Sequence, residues 1–146
     1  MARPPASLLF CCTSNALRSP MAEALAKFLF GRAVYVDSVG LRAGEVDGFA
    51  VQVMDEIGID ISRHRPKTFA ELDDSSFERI VSLSPEAQHH ALELTRGTAS
   101  EVELWNTFDP SLVEGNRETR LEAYRAVRDQ LLERLKRRFE QPGAPV

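Results

Sequence analysis

The order of apolar and polar stretches along the chain predicts a single α/β domain. An unbroken apolar run over residues 7–11 is typical of a strand that is buried on both faces, as in the middle of a parallel sheet. Residues 34–36, 78–83 and 101–104 predict three further strands. Helical stretches separate these strands, which indicates parallel strands joined by helical crossovers. The expected fold is a four-stranded parallel sheet flanked by helices.

Two serine–proline pairs predict the starts of helices. Ser19 is predicted to be the N-cap of a helix that begins at Pro20 and ends near Gly31, because a serine oxygen accepts a hydrogen bond from a free helix N–H and proline needs no hydrogen bond at the first position. Ser84 and Pro85 predict another helix start in the same way. Both helices are therefore expected to have side-chain caps.

Apolar periodicity predicts two more helices, over about residues 49–57 and about residues 117–139. In the last helix the face that carries arginines and glutamates is expected to be exposed to solvent. The opposite face is apolar, with Leu121, Tyr124, Val127, Leu131 and Leu135. By composition, only the two ends are expected to be loose, residues 1–6 and 141–146.

Composition limits the functions to consider. The 146 residues, 43% of them hydrophobic, suit one domain over residues 1–146, of which about 7–140 are structured. A net charge of -4 argues against nucleic-acid binding, and the N-terminal apolar run is too short for a signal peptide or a membrane span. The adjacent cysteines predict reduced thiols in the cytoplasm, with Cys11 a buried strand residue. No metal ion or cofactor is expected, and nothing in the sequence indicates an oligomeric state.

The loop after the first strand combines a thiol with a guanidinium. It consists of Cys12, Thr13, Ser14, Asn15, Ala16, Leu17 and Arg18. Because a helix N-terminus has unpaired N–H groups and a positive dipole end, this loop is predicted to bind a phosphate-like anion. Cys12 is the predicted nucleophile, since such surroundings lower a thiol pKa from about 8.5 to between about 3.5 and 7.5. Arg18 is the predicted anion clamp, because its planar guanidinium can bind two oxygens of one anion.

Three other side chains are expected to complete this site. Asp109 lies in the loop after the last strand, where α/β folds bring connections together, and it is predicted to protonate the leaving alcohol and then to activate water. Ser19 is expected to donate a hydrogen bond to the Cys12 sulfur in addition to capping the helix. Asn15 is expected to shape the loop, because asparagine tolerates the left-handed backbone conformation.

The order and spacing of these residues resemble the low-molecular-weight protein tyrosine phosphatase family. The shared features are the Cys-x5-Arg-Ser-Pro pattern that begins at Cys12, the Asp-Pro pair at Asp109, and the stretch Gly-Ile-Asp-Ile-Ser-Arg-His-Arg at residues 58–65. The resemblance implies a four-stranded parallel sheet with flanking helices. It also implies that Cys12 is the nucleophile, Arg18 the anion binder and Asp109 the general acid, with a phosphorylated protein or a small phosphomonoester as substrate.

Three departures from the family's usual pattern concern regulation and specificity. Leu17 stands where many members have a second cysteine that protects the nucleophile as a disulfide, and Ser14 replaces a common loop glycine. Ser111 and Leu112 follow the Asp-Pro pair, where tyrosine-specific members commonly have aromatic rings. Residues 113–131 look more like the arsenate-reductase branch of the same fold, and arsenate closely resembles phosphate.

A phosphatase is the predicted function, with two alternatives. Arsenate reduction in thioredoxin-coupled members needs two further cysteines to relay electrons, and no cysteine follows Cys12, so that version is excluded. Arsenate reduction coupled to a small cellular thiol needs Cys12 alone. The second alternative is a module that binds a phosphorylated ligand without turnover. The presence of a nucleophile, a clamp and an acid argues against such a module.

Overall fold

A single four-stranded parallel sheet with helices on both faces forms the core of the computed structural model, which describes residues 2–72 and 76–141. The strand order is β2, β1, β3, β4, with β1 (Ser7–Cys12), β2 (Tyr35–Gly40), β3 (Arg79–Ser82) and β4 (Glu101–Leu104). The helices are α1 (Arg18–Phe30), α2 (Gly48–Asp55), α3 (Pro85–Leu94) and α4 (Arg117–Arg138). Within these described residues, no helix is both long and apolar enough to cross a membrane. The predicted fold class is confirmed.

Strand β1 lies in the middle of the sheet, and its side chains alternate between the two faces. Leu8, Phe10 and Cys12 belong to the larger core cluster, which is shared with α1, α2 and α4. Leu9 and Cys11 belong to the smaller cluster on the opposite face, which includes residues of α3. Because both faces are covered, the strand is apolar and buried from Leu8 to Cys12. The two adjacent cysteines therefore point to opposite sides of the sheet.

The two serine–proline pairs behave differently. Ser84 is the N-cap of α3 as predicted, and its Oγ accepts a hydrogen bond from the Ala87 N–H at 3.3 Å. The predicted cap at Ser19 is wrong: α1 begins at Arg18, Leu17 occupies the N-cap position, and no side chain caps the helix. Ser19 lies inside the first turn, where its hydroxyl is engaged with groups of the preceding loop instead of with free helix N–H groups.

The strand predicted over residues 34–36 is too short, because β2 continues through polar residues. Asp37 and Ser38 lie inside the strand and are paired with β1. Lys67 Nζ donates to Asp37 Oδ1 at 2.5 Å, and Ser38 Oγ donates to Glu23 Oε1 at 2.5 Å. Polar side chains are tolerated here because each has a hydrogen-bonding partner.

The N-terminal segment, residues 1–6, which the sequence analysis expected to be loose, is attached to the end of α4 at Ala2. The Ala2 N–H donates to the last carbonyl of α4 at 3.0 Å, and the Glu140 N–H donates to the Ala2 carbonyl at 2.8 Å. Two backbone hydrogen bonds thus attach this segment to the end of α4. Met1 and residues 142–146, which were also expected to be loose, lie outside the described residues.

Helix α4 buries its predicted apolar face, Leu121, Tyr124, Val127, Leu131 and Leu135. The prediction that its charged face is exposed is wrong at Arg128, which is only 9% exposed. Arg128 Nη1 donates to the Val53 carbonyl at 2.8 Å and to Glu56 Oε1 at 2.9 Å. These partners compensate for the cost of burying the guanidinium, so Arg128 joins α4 to α2.

Candidate active site

The loop between β1 and α1, residues 13–17, is held by the segment that follows β2. Four N–H groups of that segment donate to carbonyls of Cys12 and the loop at 2.9 to 3.2 Å: Leu41 to Cys12, Arg42 to Thr13, Gly44 to Ser14 and Asp47 to Ala16. The segment approaches so closely that a Cβ added to Gly40 would lie 2.6 Å from the Asn15 nitrogen. The loop backbone is therefore fixed along its outer side.

These hydrogen bonds also orient the N–H groups of the loop. Across a trans peptide, a carbonyl and the following N–H point in opposite directions, and the described chain has no cis peptide. Since the carbonyls face residues 41–47, the next N–H groups in the chain point the other way. None of the N–H groups of residues 14–18 finds an acceptor within the part of the chain that the structure describes. Together with the N-terminus of α1, they form a site suited to an anion.

Asn15 shapes this loop from behind. It has the predicted left-handed conformation, with a φ of 51°, and its side chain is fully buried. Its Nδ2 donates to Ser19 Oγ and to Ser38 Oγ, both at 2.9 Å. Its Oδ1 accepts from the Lys67 N–H at 3.0 Å and lies 2.9 Å from His64 Nε2. The amide therefore uses both its donors and both its acceptor directions, which fixes its orientation.

His64 and Lys67 contact Asn15, and neither contact was predicted from the sequence. Burial lowers the pKa of His64, although the carboxylate of Glu23, 4.0 Å from Nδ1, acts in the opposite direction. A neutral imidazole with its proton on Nε2 can donate to Asn15. The only sequence signal for this contact is that His64 lies in the stretch 58–65 on which the family resemblance rests.

Cys12 ends β1 and faces the loop. Its Sγ lies 2.9 Å from Ser19 Oγ, and the residue is only 2% exposed. Because Asn15 donates to Ser19 Oγ, the hydroxyl can direct its own proton to the sulfur. A donated hydrogen bond of this kind stabilises the thiolate form of a cysteine.

Cys11 has the opposite surroundings. Its side chain is fully buried, and its Sγ lies 3.3 Å from Ser82 Oγ on the other face of the sheet. Burial raises the pKa of the Cys11 thiol to about 12. The thiol is therefore protonated at neutral pH and unreactive. The prediction that Cys11 is a buried strand residue is confirmed.

Arg18 links the loop to the connection that follows β4. Its Nη1 donates to the Thr107 carbonyl at 3.0 Å and its Nη2 to Thr13 Oγ1 at 3.4 Å. No carboxylate among the described residues forms an ion pair with it. Since a guanidinium has five N–H donors, Arg18 keeps donors and an uncompensated charge for an anion.

Asp109 lies on that same connection after β4. It precedes a short 3-10 turn, Pro110–Leu112, and its Oδ1 accepts from the Ser111 N–H at 3.0 Å and from Ser111 Oγ at 2.7 Å. These two bonds orient the carboxyl group. In the described part of the chain, Oδ2 has no hydrogen-bonding partner, so it can exchange a proton with a bound molecule.

The predicted residues meet around one small cavity of about 140 Å³. Its lining is Cys12, Ser14, Ala16, Leu17, Arg18, Asp47, Asp109 and Ser111. Two predicted loop residues are not in the lining: Thr13 contacts Arg18, and Asn15 lies behind the loop. The lining contains no aromatic side chain among the described residues. A cavity of this size suits a single tetrahedral oxyanion.

Asp47 is a lining residue that the sequence analysis missed. Its Oδ1 accepts from the N–H groups of Phe49 and Ala50 at 2.8 and 3.2 Å, so α2 begins at Gly48 instead of near residue 49. Its Oδ2 accepts from the Tyr124 hydroxyl at 2.8 Å. Burial, together with this hydrogen bond to a carboxylate, raises the pKa of Tyr124. The sequence contained a signal for this cap, because Asp47 lies just before the apolar periodic stretch of α2 and aspartate is a common N-cap residue.

The described residues hold no cluster of metal ligands. Among residues 2–72 and 76–141, no group of three or more histidines, cysteines, aspartates or glutamates could bind a metal ion together. His89 and His90 are exposed on α3. The lining of the cavity supplies thiol, guanidinium, hydroxyl and carboxyl groups.

Comparison with known proteins agrees with this geometry. The chain is 35% identical over 131 residues to an arsenate reductase of Halalkalibacterium halodurans, covering 88% of this chain and 91% of that protein. It is 32% identical over 128 residues to a glutaredoxin arsenate reductase of Synechocystis, covering 88% and 92%. The solved structure of the arginine phosphatase YwlE from Geobacillus stearothermophilus matches with a TM-score of 0.74 at 27% identity, covering 91% of this chain and 90% of that one. Residues 7–141 match the family described as low molecular weight phosphotyrosine protein phosphatase, and the chain belongs to that family.

Proposed function

We propose that this chain is a cysteine-dependent phosphomonoester hydrolase of the protein tyrosine phosphatase type. The observation that supports it most is the meeting of Cys12, Arg18 and Asp109 around one small cavity, beside a loop whose N–H groups have no acceptor among the described residues. A nucleophile, an anion clamp and a proton donor are the three groups that such a reaction requires. A reducing cytoplasm is the expected compartment, because the mechanism needs a free Cys12 thiolate.

In the first step, the thiolate of Cys12 attacks the phosphorus atom of the bound substrate. The new S–P bond forms as the ester P–O bond breaks, and Asp109 gives its proton to the leaving oxygen. The loop N–H groups and the guanidinium of Arg18 neutralise charge on the three non-bridging oxygens. The products of this step are a free alcohol and a phosphocysteine.

In the second step, water hydrolyses the phosphocysteine. Asp109, now a carboxylate, accepts a proton from the attacking water, and the S–P bond breaks to release phosphate. The Ser19 hydroxyl, 2.9 Å from Sγ, donates a hydrogen bond that stabilises the departing thiolate. The same acid therefore serves in both steps, with its proton returned at the end of the cycle.

The substrate class follows from the small cavity and its surroundings. A cavity of about 140 Å³ holds the phosphoryl group, so the leaving group lies at its mouth. Two exposed apolar side chains flank Asp109 in the sequence, Phe108 at 55% and Leu112 at 70% exposure. They offer an apolar surface to an aromatic leaving group. Phosphotyrosine on a protein is our first choice, and a small phosphomonoester is the simpler alternative.

Arsenate reduction with a small thiol is the second candidate, favoured by the curated relatives that are named arsenate reductases. In this reaction Cys12 would attack arsenate and lose water to form an arsenylated cysteine. A small cellular thiol would then attack the Cys12 sulfur to form a mixed disulfide, and the electron pair of the broken S–As bond would reduce arsenic from As(V) to As(III), which leaves as arsenite. A second molecule of the thiol would reduce the mixed disulfide and restore Cys12. Because the chain has no cysteine after Cys12, the reducing electrons must come from outside the protein.

Two assays on one protein preparation test the proposal, namely hydrolysis of an aryl phosphate and arsenate-dependent oxidation of a small thiol. We expect hydrolysis to predominate and to be lost in Cys12→Ser, by at least about a thousandfold in kcat. Cys11→Ser is the matched control and should stay close to the wild type. Strong arsenate reduction with negligible hydrolysis would favour the second candidate. Phosphate binding without either activity would indicate a non-catalytic module.

A further inference from the structure

Beside the active-site cavity lies a second, larger depression, which we call the Phe49 groove. It has a volume of about 450 Å³ and is lined by Asp47, Gly48, Phe49, Gln52 and Arg117. Asp47 also lines the active-site cavity, so the two spaces adjoin. We propose that the Phe49 groove binds an acidic side chain of the substrate, and that the preferred substrates are acidic phosphopeptides. This inference rests on the proposed phosphatase function.

Two guanidinium groups supply positive charge at the groove: Arg117 lines it, and Arg120 stacks on the ring of the lining residue Phe49. The Cζ atoms of Arg117 and Arg120 lie 5.3 and 4.6 Å from the centre of the Phe49 ring. Stacking on an aromatic ring holds a guanidinium in place while its N–H edges stay available. Arg117 also donates to Gln52 Oε1, which fixes it at the wall of the groove. The two cations are therefore positioned before any ligand binds.

Several arginines of α4 have acidic partners, but Arg117 and Arg120, the two beside the groove, do not. Arg125 is ion-paired with Glu56, Glu118 and Glu122, and Arg128 with Glu56. Neither Arg117 nor Arg120 forms an ion pair with any carboxylate in the described ranges 2–72 and 76–141. A carboxylate supplied by another molecule would form ion pairs with Arg117 and Arg120.

The position of Arg117 and Arg120 on the helix strengthens the positive electrostatic potential at the groove. Both lie at the N-terminal end of the 22-residue helix α4, where the helix dipole is positive and cations are unfavourable. The acidic residue of that first turn, Glu118, is already engaged with Arg125. Two unpaired cations at the positive end of a long helix cost stability unless an anion binds there. The field therefore favours an acidic ligand.

Asp47 does not prevent anion binding. Both of its carboxylate oxygens accept hydrogen bonds from the protein: Oδ1 from the N–H groups of Phe49 and Ala50, and Oδ2 from the Tyr124 hydroxyl. These donors offset its charge. A peptide whose phosphoryl group occupies the active-site cavity can thus extend past Asp47 and bring a neighbouring acidic side chain to Arg117.

The test compares two phosphotyrosine peptides that differ only in having glutamate or glutamine beside the phosphotyrosine. Their affinities are measured by fluorescence anisotropy with Cys12→Ser, which prevents turnover, and their KM values with the wild type. We expect tighter binding of the glutamate peptide, by about twofold to fivefold, since an exposed ion pair contributes up to about a fivefold gain in affinity. The preference should fall as salt is added.

In the double variant Arg117→Gln, Arg120→Gln, the preference ratio should fall to about one. The matched control is Arg134→Gln, Arg137→Gln, which changes two arginines at the other end of the same helix and should keep the ratio. The same glutamate preference in the double variant, or equal affinities in the wild type, would overturn the groove assignment. Failure of the phosphatase proposal is recognised separately, by the absence of aryl phosphate hydrolysis, while the anisotropy ratio still tests the groove.

Discussion

The connections that follow β1 and β3 begin on neighbouring strands and contain the same serine–proline pair, yet they differ in structure. After β3, one residue separates the strand from Ser84, whose hydroxyl caps α3. After β1, five residues form a loop, no side chain caps α1, and Ser19 lies in the first turn, with its hydroxyl next to a sulfur. The serine of one pair, Ser84, therefore caps its helix, whereas the serine of the other pair, Ser19, contacts Cys12.

The difference shows how a helix N-terminus becomes available to a ligand. A side-chain cap occupies a free N–H group and stabilises the helix by about 1 kcal/mol. An uncapped end leaves its N–H groups for another acceptor, and the loop before α1 is instead stabilised by bonds from residues 41–47 to its carbonyls. In this loop, the carbonyl groups form the hydrogen bonds that stabilise the backbone, and the N–H groups stay available to bind an anion.

The largest expected effect comes from the residue that begins the uncapped helix. Arg18→Lys should lower kcat/KM for an aryl phosphate by about 100- to 1000-fold, because a compact ammonium lacks the planar fork that can bind two oxygens of one anion while another N–H group contacts the Thr107 carbonyl. Steady-state kinetics provide the measurement. Arg96→Lys, an exposed change just after α3, is the control and should leave kcat/KM unchanged. Wild-type kinetics in Arg18→Lys would contradict the clamp role.

The next effect tests the carboxyl group that approaches the loop from the connection after β4. Asp109→Asn should slow hydrolysis of an alkyl phosphate by about 100-fold, because its leaving group needs a proton. A nitrophenyl phosphate, whose leaving group needs little protonation, should be affected far less. Both losses are measured as kcat/KM, which reports the transfer step and not the later attack of water, and equal losses for the two substrates would contradict the role of Asp109 as general acid.

A pair of matched substitutions separates the two serines. Ser19→Ala should reduce kcat by about tenfold, because the departing sulfur loses a hydrogen bond to a charged group. Ser84→Ala should leave kcat unchanged and lower the free energy of unfolding by about 1 kcal/mol, because α3 loses its cap. Kinetics and urea unfolding on both variants provide the comparison. A kinetic defect in Ser84→Ala alone would reverse our assignment of the two roles.

The smallest effect concerns pH. Burial lowers the pKa of His64, so the unfolded chain binds a proton at higher pH than the folded one. Its contribution to stability is present above the ordinary histidine pKa of about 6.5 and is lost as pH falls through the folded-state pKa. We expect His64→Gln to lose less stability than the wild type between pH 7.5 and pH 5 in urea unfolding. His89→Gln, on the exposed surface of α3, should behave like the wild type.

The fold could be predicted because its determinants are local in the sequence. The apolar run of β1, the cap of α3 and the apolar face of α4 each follow from residues a few positions apart. The left-handed backbone at Asn15 was predicted for the same reason, since asparagine tolerates it. The three residues predicted to do the chemistry do lie around one cavity, which the topology of parallel strands favours.

The remaining features depend on contacts between distant segments. The contact of Ser19 with Cys12 was predicted, but its cap role was wrong because α1 begins one residue earlier and the folded loop brings Asn15 to the Ser19 hydroxyl. The polar half of β2 was missed because Asp37 and Ser38 find their partners on other elements. Arg128 is buried for a similar reason, since its acceptors are on α2. These partners lie far apart in the sequence, and no periodic pattern of residues predicts that they meet.

The most direct test of the central claim is to trap the phosphocysteine. The protein is mixed with an aryl phosphate, quenched in acid within the first turnover and analysed by peptide mass mapping. We predict a phosphoryl group on the peptide that contains Cys11 and Cys12. This phosphoryl group should still be found in Cys11→Ser and should be absent in Cys12→Ser. Hydrolysis that proceeds with no phosphorylated cysteine, or a phosphoryl group that remains in Cys12→Ser, would contradict the proposed mechanism.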